Sequence, residues 1–115
     1  MPDLWMGPNL LRFEQVVIDR VVKPEESGNY VLGFKDESGE FVPKFIGRSD
    51  SDLRSEMTAR LATMKYPYFK FSQVNPTIAF ETECAQFHNF HRQLENKTHP
   101  VSPVGSGLKC FLCGQ

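Results

Sequence analysis

Between residues 77 and 95 the apolar positions recur at helical spacing, with Phe80, Phe87, Phe90 and Leu94 on one stripe of a 3.6-residue turn. Glu83 falls on that same stripe, where a carboxylate is costly to bury without a partner. A neighbouring stripe carries Cys84, His88 and His91, whose side chains project from one side. A shorter helical pattern runs through Leu53, Met57, Leu61 and Met64. It follows Ser49, Asp50, Ser51 and Asp52, residues suited to a helix N-cap and an acidic first turn. Arg60 lies almost in the middle of that stripe, and Glu56, one turn earlier, is placed as its i,i+4 ion-pair partner.

Period-two alternation marks the strands. In residues 29–35, Tyr30, Leu32 and Phe34 alternate on one face. Asp36, Glu37, Ser38 and Gly39 supply a turn, and residues 41–47 read as the returning strand. Pro43 makes that strand irregular or places it at an edge. Residues 66–74 alternate as a third strand. Asn75, Pro76 and Thr77 then stop it and open the last helix, with proline in its first turn. Residues 10–22 fit a short helix or a Val- and Ile-rich strand, and we read them as helix. Residues 1–8 read as a loose arm. The pattern predicts a small α+β domain, a three-stranded antiparallel sheet flanked by helices. It comprises an arm and helix over 1–27, a body over 28–95 and a tail over 96–115.

The tail shows no periodicity, and a featureless segment of that length in so small a chain needs something to pin it. Cys110 and Cys113 form a CxxC knuckle, the spacing at which two thiolates chelate zinc. Cys84 and His88, four apart on the last helix, complete a Cys3His set, with His91 a rival for the fourth position and His99 a weaker one. Such a site is closed and structural, and its binding energy becomes folding energy. The competing accounts are three unrelated cysteines and a redox CxxC, but the latter belongs at a helix N-terminus in a βαβ context that this tail lacks.

Composition adds limits. A chain of 115 residues with ten Phe, three Tyr and one Trp has material for one hydrophobic core. A net charge of −1 argues against a strongly basic nucleic-acid clamp, though a local basic patch remains open. No apolar run reaches membrane-spanning length and the N-terminus lacks a signal-peptide pattern, so a cytoplasmic location is expected. Three cysteines, an odd count, disfavour a closed disulfide framework.

The stretch GNYVLGFKDESGEFVPKFIGRSDSDLRSEM, residues 28–57, resembles the GIY-YIG nuclease family in motif spacing and helix start. Gly28, Asn29 and Tyr30 stand at the first motif, and Phe45, Ile46, Gly47 and Arg48 at the second. Ala79 precedes Glu83 by four, as in the segment bearing that family's metal-binding glutamate. The tail resembles a prokaryotic branch of uncharacterised members ending in a His-Pro step and a CxxC, so the likeness covers residues 28–113. It implies hydrolysis of nucleic-acid phosphodiesters, DNA ahead of RNA, with one Mg2+ or Mn2+ ion. Glu83 would hold the metal, Tyr30 would orient or activate the nucleophile, and Arg48 would contact phosphate. Two positions depart from the pattern: Phe45 replaces the second motif's tyrosine, and Glu56 replaces the helix arginine, for which Arg60 is the substitute. The alternatives are a catalytically degenerate nucleic-acid or protein binder on the same fold and a zinc-stabilised interaction module.

Overall fold

Four antiparallel strands, not three, form the sheet, in the order β1-β4-β2-β3. The structure, a computed structural model, describes Met6 and residues 9–115. The remainder of the expected arm lies outside the described residues. The additional strand comes from the segment read as helix. That segment divides into β1 (Leu11–Arg12), which pairs with β4 through Leu11–Phe69 and Arg12–Tyr68, and helix α1 (Gln15–Val21). Phe13 causes the division. Its amide donates to the Pro67 carbonyl, and its buried ring meets Phe69 edge-on at 5.9 Å.

The hairpin forms as expected from β2 (Gly28–Lys35) and β3 (Phe41–Ser49). The Asp36 carboxylate accepts from the Ser38 and Glu40 amides, and Gly39 takes the positive φ of 87° that closes the turn. Proline 43 does mark an irregularity: Leu32 pairs with Phe45 but Gly33 pairs with Pro43, leaving Lys44 in a bulge. Helix α2 (Leu53–Leu61) starts at Asp52, whose side chain accepts from the Ser55 amide. Strand β4 (Tyr68–Ser72) is followed by α3 (Pro76–Phe90), capped by Asn75 with proline in its first turn. Leu94, assigned to the same helical stripe, sits beyond the helix end in a turn and is still buried.

Alternation along β2 feeds two separate layers. Tyr30 and Leu32 pack with Ile18 of α1, Val22 at its C-cap, Leu53 and Met57 of α2, and Phe69. Val31 faces the other way, joining Ile46, Leu94, Phe87 and Phe90 against α3. A one-residue slip in register would exchange the two sets, so burial on both faces fixes the pairing.

Strand β3 is an edge strand, yet its outer side is not left bare. The segment after α3 runs beside it. Gln93 donates to the Pro43 carbonyl, the Glu95 amide to Lys44, and the Asn96 amide group both donates to and accepts from the backbone of Ile46. Carbonyls and amides that would invite a foreign strand are thereby satisfied. No helix among the described residues is long and apolar enough to cross a membrane.

Candidate active site and metal centre

The β2–β3 register sets Tyr30 opposite Gly47, and the bare glycine accommodates the tyrosine ring. With a Cβ at 47, ring atoms of Tyr30 would lie well inside any distance real Cβ atoms show. Lying there, Tyr30 directs its hydroxyl to α2 and donates to Glu56 Oε2 at 2.8 Å. Arg60 Nε donates to the same oxygen at 3.0 Å, and its guanidinium lies 5.3 Å over the Phe45 ring. The expected Glu56–Arg60 pair therefore forms and gains a third member, Tyr30. Burial, reinforced by the Glu56 carboxylate, pushes the tyrosine hydroxyl above its ordinary range. A hydroxyl that keeps its proton suits the expected role of orienting the nucleophile better than that of activating it as a phenolate.

One residue along β3, the chain faces the opposite layer. Arg48 stacks over Phe80 of α3 at 5.3 Å, and its Nη1 donates to Glu83 Oε1 at 2.8 Å. Nε donates to Asp50 Oδ1 at 2.7 Å, while Nη2 reaches Asp50 Oδ2 at 3.3 Å and the Val101 carbonyl at 2.6 Å. Four of the five guanidinium N–H groups are engaged. So Arg48 and Glu83 sit on the α3 side of the edge strand and Tyr30, Glu56 and Arg60 on the α2 side, with Gly47 between them. The two groups are close enough for the Glu56 charge to act on Glu83.

Burial pushes the Glu83 carboxyl up to about 7. Arg48 pulls it down, and the charges of Asp50 and Glu56 add to the rise. Without a divalent cation, folded Glu83 thus holds its proton more tightly than the unfolded chain does. The stability this provides is present below the unfolded pKa, near the ordinary 4.5, and is lost as pH rises through about 7. Thermal unfolding in cation-free buffer should show Glu83→Gln with a flatter decline between pH 5 and 8 than the native protein. Parallel curves would mean that Glu83 does not titrate in that window.

A second cluster sits where the tail returns to α3. The ligand atoms of His88, His99, Cys110 and Cys113 all lie within 4.8 Å of one another. Cys110 Sγ is 3.5 Å from His88 Nε2, and Cys113 Sγ is 3.4 Å from His99 Nε2. Those separations match the roughly 3.5 Å edges of a tetrahedron with zinc-to-ligand bonds of about 2.0–2.3 Å. His99 Nδ1 lies 2.8 Å from the Pro100 carbonyl. A carbonyl only accepts, so Nδ1 carries the proton and Nε2 keeps its lone pair for a metal. Burial opposes a thiolate at Cys110, but the Leu112 amide, His99, the Cys113 amide and Cys84 outweigh it and bring the thiol to about 6. This group could hold a metal ion such as zinc.

The tail cluster differs from the expected set in one member. His99 takes the place given to Cys84, so the set is Cys2His2 rather than Cys3His. Cys84 is fully buried with Phe80 and Cys110, and burial pushes its thiol far above the usual range. It packs beside the cluster as a small apolar side chain. His91 is exposed, with Nδ1 near the His88 carbonyl, and lies outside the group. Sequence reasoning also missed Asp50 and the Val101 carbonyl as partners of Arg48. Asp50 lies only two residues away in the chain, but within a run whose residue types signal the helix start. Comparison with models of known families, with curated proteins and with solved structures found no match.

Proposed function

We propose that this chain hydrolyses phosphodiester bonds of nucleic acid, DNA ahead of RNA, in the manner of a GIY-YIG nuclease, with its tail closed by structural zinc. The observation that carries the reading is the meeting of a buried carboxylate, an arginine and a Tyr–Glu–Arg triad around one glycine. The donor chemistry fits a hard divalent cation. Glu83 offers oxygen, the nearby Asp50 and Glu56 carboxylates add negative charge, and a cation would offset the burial that raises the Glu83 pKa. Glu83 would hold Mg2+ or Mn2+, which supplies charge stabilisation at a phosphoryl oxygen.

The remaining work falls to the side chains. Tyr30, fully buried, keeps its proton on the hydrogen bond to Glu56 and orients that carboxylate, which is exposed enough to take a proton from a water. Arg60 balances the Glu56 charge, which answers for glutamate standing at a position where the family pattern has arginine. Arg48 is the phosphate contact. A non-cleaving binder is the second reading, favoured by the near-complete engagement of the Arg48 N–H groups.

The test is cleavage of supercoiled plasmid and of single-stranded RNA with Mg2+ or Mn2+, native protein against Glu83→Ala. Nicking by the native chain, reduced about a thousandfold by the substitution, is expected for loss of a metal ligand worth several kcal/mol. Salt-dependent binding without cleavage would select the binder. Neither binding nor cleavage would leave a metal-stabilised interaction module.

A further inference from the structure

The contact between Arg48 and Val101 joins the two clusters just described. Segment 93–96 follows β3 from Pro43 to Ile46, and the next tie along the strand is Arg48 Nη2 to the Val101 carbonyl. Val101 is two residues beyond His99, whose Nε2 faces the Cys113 sulfur and whose Nδ1 is tied to Pro100. Pro100, the single intervening residue, has a fixed φ and transmits the position of one neighbour to the other. Among the described residues, the backbone between them and Cys110 has only the ties Ser106 to Pro103 and Leu108 to Ser106.

We propose that His99–Pro100–Val101 is a positioning strap, which the tail metal fastens so that the Val101 carbonyl fixes the Arg48 guanidinium beside Glu83. The proposal rests on the phosphodiesterase reading and deepens it. When Glu83 turns to a cation, Arg48 loses its partner at Nη1. A guanidinium left with the Phe80 ring and with Asp50, whose side chain is 37% exposed, would be held more loosely. The Val101 carbonyl is a second anchor on the far nitrogen, so Arg48 stays in place with Nη1 released toward a phosphate oxygen. Val101 thus acts through Arg48 and touches no substrate itself. Orientation retained in this way spares the reordering that a loose side chain would need on binding.

The test reads Arg48 directly. Glu83→Met removes the acceptor at Nη1 and so imitates a carboxylate committed elsewhere, and in that protein, loaded with zinc, hydrogen exchange at Arg48 Nε–Hε is measured by NMR, with Arg48→Lys identifying the signal. Exchange should be slow, and about tenfold faster when Pro100→Gly is added, the scale of losing one hydrogen bond to a charged group. Zinc content and the backbone amide spectrum confirm that the double variant keeps its metal and fold. Equal exchange in the two proteins would overturn the proposal, as would indifference of the Glu83→Met signal to stripping the zinc. None of these readings requires cleavage. A native chain that cuts neither substrate sinks the phosphodiesterase reading, while exchange still decides the strap.

Discussion

Gly47→Ala should destabilise the protein by about 3 kcal/mol, the cost of forcing an extra carbon into a packed interior. Unfolding should then occur roughly 10–20 °C lower in a scan of the two proteins. The added carbon would collide with the Tyr30 ring, and that ring is fully buried with no space to swing into. Either β3 moves away from β2 or Tyr30 is expelled, and expulsion also breaks the hydrogen bond to Glu56. Any cleavage activity should fall with stability. Gly39→Ala is the control: nothing lies within 4 Å of its added carbon, so only the positive φ is penalised, at about 1 kcal/mol. Equal losses from the two substitutions would mean that Tyr30 does not lie over Gly47.

The second large effect should come from removing the tail metal. Native protein and Cys84→Ala are each expected to retain about one zinc per chain, whereas Cys110→Ser and His99→Ala should fall well below it, since each removes one of four ligands. Chelation should release residues 97–115 while the sheet survives, because both large core clusters are built without tail residues from beyond Leu94. Amide exchange can show this: protection lost at Cys110 and Gly114, whose amides bond within the knuckle, and kept at Val31 of the central strand. Loss of zinc from Cys84→Ala with retention by His99→Ala would restore the Cys3His set.

Much of this was legible in the chain because the deciding interactions are local. The caps at Asp52 and Asn75, the Asp36 turn and the Glu56–Arg60 pair span four residues or fewer and appear where the spacing placed them. Strand β1 was hidden because two residues are too few to show a period, and Phe13 turned the chain before one could build up. His99 was undervalued for a related reason. A helical i,i+4 pair such as Cys84–His88 declares its proximity in the sequence, whereas a tail residue reaches a site only through the path of the tail. Cys84 and His88 do share a flank of α3, but the Cys84 thiol is buried with Phe80 and Leu108 and meets the cluster only through a hydrogen bond with Cys110. The triad was half visible: Glu56 and Arg60 were paired, but Tyr30 reaches them only because Gly47 lacks a side chain, a relation set by strand register.

The covered flank of β3 also limits how this molecule can recognise anything. Its other sheet edge, β1, offers two residues, and the β3 flank is taken up by the chain's own segment 93–96. Recognition by strand addition, in which an extended peptide or a second copy lengthens the sheet, finds the outer backbone of residues 43–46 already engaged. A partner approaching that part of the edge must instead meet side chains, at the helices, at the loops beside Arg48 or on the knuckle. Phe111 and Leu112 stand exposed on that knuckle. Along that part of the edge, specificity is therefore a matter of which side chains those surfaces present.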